Sequence, residues 1–444
     1  MSWWSRRPVA VLLLGVAASC RPGSIDPVLL TPDTAALLRD VTHLASDSLE
    51  GRGTGTAGYD SAAAYVVTRW RSLDLVPVAV RDAAACSAGS APTACDTTFE
   101  QRFVARSIAA AHAGANPELT TRNVVALLPG SDPALRHEFV VIGAHLDHLG
   151  RTSGSALDPE AGSTIRNGAD DNASGSAVVM ELARILAADP PRRSLLFVHF
   201  SGEELGLLGS QYFVDHAPVP IENIVAMINF DMVGRLRDDK LIVYGVSTAE
   251  ELRAILDRSN VEPRLDIRAI GDGFGPSDHS SFYAKGIPVL HLFTDLHDDY
   301  HRATDDVDRI EVAGMARVAA YSSRVARAIA DLPSRLTPVR HSPPVTLAAP
   351  RSGRGAWFGS VPDMAASDTA GVRLRGVSPG SPAEQAGIRA GDVIVEFGGM
   401  PVGDLYQFTD ALQAHEPGDT VRVVVRRDGE PLALTAVLGR RGQR

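Results

Sequence analysis

Five short stretches of this chain gather side chains that bind metals or move protons. They are Ala144-His145-Leu146-Asp147-His148, Asn167 to Gly175 with the pair Asp170-Asp171, Ser201-Gly202-Glu203-Glu204, Asn229-Phe230-Asp231, and Asp298 to Asp305 with Tyr300 and His301. Each follows an apolar run directly or sits in a loop. Burying that many carboxylates together is prohibitive without a cation, because like charges repel and desolvation is costly. A divalent metal centre resolves the conflict. Histidine and carboxylate donors without cysteine suit zinc, with manganese or cobalt as alternatives. The two-residue spacing of His145 and Asp147 sets both side chains on one side of a strand end. His145 then reads as a ligand, with the Asp147 carboxylate holding its other ring nitrogen. Adjacent Glu203 and Glu204 point apart, so one is suited to binding metal and the other to acting on the attacking water.

The elements that must position these residues alternate between strand and helix. Short β-branched apolar runs begin at Asn123, Phe139, Ser194, Ile224, Leu241 and Ile287 and read as buried strands. Helical stretches lie between several of them, at Ser174 to Ala187 and Leu205 to Val214, and Val312 to Ala330 closes the unit. This pattern predicts an α/β fold, a mixed central sheet flanked by helices, with ligand residues at strand ends. Upstream, Leu37, Leu38, Val41 and Leu44, then Ala64, Val66, Trp70 and Leu73, predict two helices around the glycine-rich turn Glu50-Gly51-Arg52-Gly53-Thr54-Gly55. No strand precedes that turn, which argues against dinucleotide binding.

These motifs, in this order, resemble bacterial exported aminopeptidases with two co-catalytic zinc ions, a family that also holds glutamate carboxypeptidases and glutaminyl cyclases. The likeness runs from about Leu44 to Ile310 and includes Leu44 to Gly55 and Ser277-Asp278-His279-Ser280-Ser281-Phe282. It implies that His145 and Asp231 hold one zinc, Glu204 and His301 the other, that Asp170 bridges them, and that Glu203 is the general base, with Asp147 behind His145. It also implies a cis peptide between Asp170 and Asp171. With five ligand positions filled, His148, His199, His279, His291 and His297 are expected to be supporting residues. Asp278 and Tyr300 are open between orienting substrate and packing, as is Arg52 between a functional and an exposed turn residue.

The 444 residues are enough for two or three domains. Five prolines between Leu332 and Gly355 mark a linker. We therefore expect a catalytic domain over 21–332, a linker over 333–355 and a small β-rich domain over 356–444. The last resembles a PDZ domain of exported proteases from Gly371 through Ala383 and Asp392 to Arg426-Arg427-Asp428-Gly429. That resemblance implies capture of a peptide C-terminus at Ala356-Trp357-Phe358-Gly359. The alternatives are a module that only packs on its neighbour, or one whose Trp357 and Phe358 line the rim of the active site.

Residues 1–20 have the make-up of an export signal: Arg6 and Arg7, an apolar stretch from Val9 to Val16, then Ala17-Ala18-Ser19-Cys20. They resemble a lipoprotein signal, with Cys20 lipidated and the protein held on a membrane of the cell envelope. Cleavage near Ala18 is the alternative. Cys86 and Cys95 then read as a local disulfide. Charged residues make up 22% and hydrophobic ones 45%, ordinary for a globular protein and unlike a disordered or multi-span membrane chain. The net charge of −10 and the absence of basic clusters exclude nucleic acid as a partner. The only two lysines, Lys240 and Lys285, lie outside any phosphate-binding loop. The expected activity is removal of single residues from peptides with a free N-terminus, with two zinc ions per chain. The alternatives are a glutaminyl cyclase-like enzyme and an inert peptide-binding scaffold.

Overall fold

The computed structural model describes residues 31–80, 97–106, 118–151, 156–273, 275–339, 356–362, 371–377, 380–403, 407–408, 411–412 and 414–440. Cys20, Cys86 and Cys95, and with them the export signal and the disulfide, lie outside the described residues.

The larger body is built on a nine-stranded mixed sheet. Its strands are β1 (Val76–Pro77), β2 (Glu100–Arg106), β3 (Glu118–Leu128), β4 (Phe139–His145), β5 (Ser194–Phe200), β6 (Ile224–Phe230), β7 (Lys240–Tyr244), β8 (Asp266–Ala269) and β9 (Val289–Phe293). The spatial order is β1-β3-β5-β4-β6-β9-β7-β8, with β2 on β3. Strands β5, β4, β6 and β9 run parallel. Strand β3 is antiparallel to β5, and β7 to β9. β2, β8 and the helix Leu252–Ser259 are short or polar enough to have escaped the apolar pattern.

The near-continuous apolar runs follow from burial on both faces. Val140, Ile142 and Ala144 of β4 and Leu195 and Phe197 of β5 join the main core. Phe139 and Val141, with Leu196, Val198 and Phe200, join a second core on the opposite face. The main core also takes α1 (Thr34–Leu44), α2 (Ala57–Ser72), α3 (Gly175–Ala188) and α7 (Val312–Ala330). The second takes Phe213 of α4 (Leu208–Asp215) and Phe282 and Tyr283 of α6 (His279–Ala284). Side chains alternate across a strand, so a strand covered on both sides has no polar face to display. Among the described residues no helix is long and apolar enough to cross a membrane.

Two expectations about chain organisation need correction. The cis peptide joins Asp171 to Asn172, one bond later than expected. The linker does not begin at 333, because residues 333–339 pack on the larger body. Leu336 is buried in the main core, Arg335 donates to Glu138 at 2.7 Å, and Val339 N donates to Thr248 O at 2.9 Å. Proline content cannot register packing, whereas the tertiary contacts of Leu336, Arg335 and Val339 place residues 333–339 on the larger body.

The smaller body is an antiparallel sheet of six strands, Ser360–Pro362, Val372–Val377, Val393–Phe397, Met400–Pro401, Thr420–Arg427 and Glu430–Val437. Helix Pro382–Gln385 is capped by Ser381, whose hydroxyl accepts from Glu384 N. Phe358 is fully buried in this domain's own core, edge-on to Phe397 at 5.0 Å. Its ring is therefore not available to line the rim of another site.

Candidate metal centre

The C-terminal ends of the parallel strands deliver the polar residues to one place. His145 is the last residue of β4. Glu203 and Glu204 follow β5, and Asp231 follows β6. The loop after β9 carries His301, and the turn into α3 carries Asp171. The Asp171 carboxylate sits at the centre. Its Oδ1 lies 3.3 Å from His145 Nε2 and its Oδ2 lies 3.2 Å from His301 Nε2. Asp231 Oδ1 is 3.2 Å from the same His145 nitrogen, and Glu204 Oε2 is 3.3 Å from the same His301 nitrogen. His148 Nδ1 is 2.8 Å from Glu204 Oε1.

Asp170, the expected bridge, faces the other way. It accepts from Gly234 N at 2.6 Å and Ser174 Oγ at 3.0 Å, and His297 Nε2 lies 3.1 Å from its Oδ2. The two aspartates are adjacent and chemically identical, and the turn Ala169–Ser174 decides which one looks into the cluster. Gly168 shapes that turn: it has φ +56°, and a Cβ there would lie 2.1 Å from Asp171 O and 2.5 Å from the His148 ring.

Asp147 also differs from expectation. His145 Nδ1 meets the backbone carbonyl of Asp147 at 3.1 Å, and the Asp147 carboxylate does not hold it. That carboxylate instead accepts from Thr54 Oγ1 at 2.7 Å and Glu203 N at 3.3 Å. The carbonyl faces Nδ1, so Nε2 is the ring nitrogen turned toward the Asp171 and Asp231 carboxylates.

Among the described residues two groups offer ligand atoms within 4.8 Å of one another: His145, Glu203 and Asp231, and His148, Asp171 and Glu204. The adjacent glutamates thus fall into different groups. Their donors are nitrogen and oxygen only, the set that zinc accepts. A second observation fits a cation: the buried atoms His148 Nδ1, His148 Nε2 and Glu204 Oε1 have no hydrogen-bond partner, although Nδ1 and Oε1 nearly touch. Lone pairs converging without hydrogen-bond alignment are what a metal ion needs.

The protonation of the cluster points the same way. Burial disfavours a charged His145, but Asp231, Glu203 and Asp171 outweigh it and hold its pKa well above the ordinary histidine value. His301 is raised likewise by Glu204 and Asp171 against burial. Burial raises Glu204, yet His301 and His148 bring it down to about 2. Protons on the histidines supply the positive charge that the carboxylates demand. Glu203 is the exception, pushed well up by burial and then by Glu204, Asp231 and Asp278, against the pull of His145.

The surrounding residues fix this geometry. Ser277 Oγ donates to Asp231 Oδ2 at 2.8 Å, and Asn229 Nδ2 donates to Ser277 Oγ at 2.8 Å. His199 is structural, its Nε2 3.1 Å from Ser176 O, while Ser176 Oγ donates to His145 O at 2.9 Å. Tyr300 stacks on His301 at 3.9 Å. His148, expected to be a supporting residue, lies inside the cluster; its place three residues after His145, the end of β4, is the signal the sequence offers. Arg52 is fully buried, not an exposed turn residue.

Residues 123–326 match the profile described as "Peptidase family M28", and residues 354–438 match "PDZ domain". The first match lies within the larger body and leaves its N-terminal helices outside, and the second covers the smaller body. The chain is 29% identical over 307 residues to leupeptin-inactivating enzyme 1 of Streptomyces exfoliatus, covering 65% of this chain and 58% of that protein. It is 29% identical over 239 residues to a probable leucine aminopeptidase 1 of Trichophyton verrucosum (strain HKI 0517), covering 49% and 59%. The match thus spans about three fifths of the length of these relatives. In fold it resembles a Zn-dependent exopeptidase from Parabacteroides distasonis ATCC 8503, with a TM-score of 0.53 at 16% identity, over 66% of this chain and 98% of that one.

Proposed function

We propose that this protein is a two-zinc aminopeptidase that releases the N-terminal residue of peptides. The observation that carries the reading is Asp171, whose two carboxylate oxygens each face a different histidine, so that one side chain links two sets of ligand atoms. His145 and Asp231 would hold one cation, Glu204 and His301 the other, with Asp171 shared; His148 lies beside the second set. When bound, such a pair supplies Lewis-acid polarisation of the scissile carbonyl and acidifies the attacking water. The chain's own residues do the rest. Asp171, Asp231 and Glu204 hold negative charge at fixed points, and Asp147 and Ser277 restrain Glu203 and Asp231 from behind.

Glu203 is the general base in this reading. It lies with His145 and Asp231, and its raised proton affinity comes from burial and neighbouring carboxylates. It takes a proton from water as the C–O bond forms, and returns it to the leaving amine as the C–N bond breaks. Names of the relatives support an aminopeptidase, and a free substrate N-terminus is the feature that distinguishes it from other peptidases of similar fold. Purified protein supplied with zinc should hydrolyse free aminoacyl anilides and leave N-acetylated ones intact. Hydrolysis of blocked substrates at equal rates, or of neither, overturns this reading.

We further propose that the protein is exported and lipid-anchored in the cell envelope through Cys20, as its first twenty residues suggest. The PDZ domain would capture peptide C-termini and contribute no ligand to the metal centre. Its buried Asp392 is committed to Arg427 at 2.7 Å, and its histidine, His415, lies near Asp419 at 3.5 Å.

A further inference from the structure

The glycine-rich turn Glu50 to Gly55 is wrapped around the metal-capable cluster. The Arg52 guanidinium is fully buried and meets backbone carbonyls. Its Nε donates to Leu146 O at 2.9 Å, its Nη1 to Asn167 O at 2.7 Å and to Leu44 O, and its Nη2 to Gly168 O at 3.0 Å. Leu146 lies between His145 and Asp147, and Asn167 and Gly168 lead into Asp171. One planar group therefore spans the two loops that carry the central ligands.

The backbone of the turn extends the same clamp. Arg52 O accepts from His148 N at 3.2 Å, and Gly51 O accepts from Gly150 N at 3.1 Å. Thr54 Oγ1 donates to Asp147 Oδ2 at 2.7 Å, and Asp147 Oδ1 accepts from Glu203 N at 3.3 Å. Threading the turn this closely requires φ of +48° at Glu50 and +49° at Arg52, in the left-handed region that L residues disfavour. It also requires glycine at 51, where a Cβ would lie 2.2 Å from Arg166 O. Through space the buried guanidinium opposes the charge of Asp171, Asp147, Asp305 and Glu204.

We propose that Arg52, assisted by Thr54, is a positioning residue of the metal centre that sets the spacing between the loop bearing His145 and the loop bearing Asp171. The inference rests on the metal reading above. It concerns a turn upstream of the residues that match the family. Arginine is required because a guanidinium presents donors in a rigid fork, whereas a lysine ammonium on a flexible stem cannot meet four separated carbonyls at once.

The test uses the full chain and cobalt(II) alone as the probe, read by visible absorption, with the variants Arg52→Lys and Thr54→Val. Removing partners that orient metal ligands commonly weakens binding about 10- to 100-fold. Arg52→Lys should fall in that range and Thr54→Val near its lower end. Both should change the intensity or position of the cobalt bands, which a loss of general stability would not do. Wild-type affinity and spectrum in both folded variants overturn the proposal, even if their melting temperatures drop. Should Arg52→Lys fail to fold, Thr54→Val with a wild-type affinity and spectrum is sufficient to overturn it. A wild-type chain that takes up no cobalt overturns the metal reading itself and this inference with it.

Discussion

Replacing each of the two adjacent aspartates separately by asparagine distinguishes the one that faces the metal centre. Asp171 is ionically engaged with His145 at 3.3 Å and His301 at 3.2 Å, at the junction of two ligand sets. Removing one member of a buried charged arrangement costs about 3–5 kcal/mol. Taken as lost metal affinity, at about 1.4 kcal/mol per decade, that is roughly 10²- to 10⁴-fold. Asp170 is equally buried but accepts from Gly234 N, Ser174 Oγ and the His297 side. An amide keeps one acceptor oxygen and forfeits a charge-assisted bond or two, each worth about 1.5–3 kcal/mol. A loss of about 2 kcal/mol corresponds to a fall of roughly 4–8 °C in melting temperature for a large domain. Zinc content after gel filtration, competition with a chromophoric chelator and thermal melting separate the two effects. Asp171→Asn should lose tight zinc, whereas Asp170→Asn should keep it and melt earlier. The reverse pattern, an empty Asp170→Asn and a fully loaded Asp171→Asn with an unchanged competition midpoint, refutes the assignment.

Glu203→Gln should retain zinc by elemental analysis while turnover of an aminoacyl anilide falls about 10²- to 10⁴-fold; near-normal turnover would move the base to another group. A chain ending at Val339 should keep metal and small-substrate turnover, whereas one ending at Leu332 loses the burial of Leu336 and the Arg335–Glu138 contact. The shorter chain should be less stable by about 3 kcal/mol, from an aliphatic side chain worth about 1.5–3 kcal/mol and an exchanged charged contact; equal denaturation midpoints would return the boundary to 332. Cys20→Ser should release the expressed protein from the membrane fraction and abolish incorporation of labelled fatty acid, and unlabelled wild-type protein would dismiss the anchor.

How much could be read from the residues alone depended on whether the information was local. Apolar runs such as Phe139–His145 and Ser194–Phe200 declared buried strands because both faces of the sheet are covered, and ligand residues at their ends followed from where parallel strands terminate. The types of the donor atoms, and so the suitability for zinc, were likewise written in His145, Asp231 and Glu204. Which neighbour turns inward was not. Asp170 and Asp171 differ by one peptide in a turn whose path is set by Gly168, by Asp305 accepting from both their backbone amides at 3.0 Å, and by Asn172 reaching Phe230 O at 2.8 Å. Those partners are between 58 and 135 residues away in the chain. Arg52 shows the same limit: its flanking glycines signalled an unusual backbone, but its burial depends on carbonyls of Leu146, Asn167 and Gly168. Local sequence determined the chemistry available to this protein, and only long-range packing decided the direction in which each of its charged groups points.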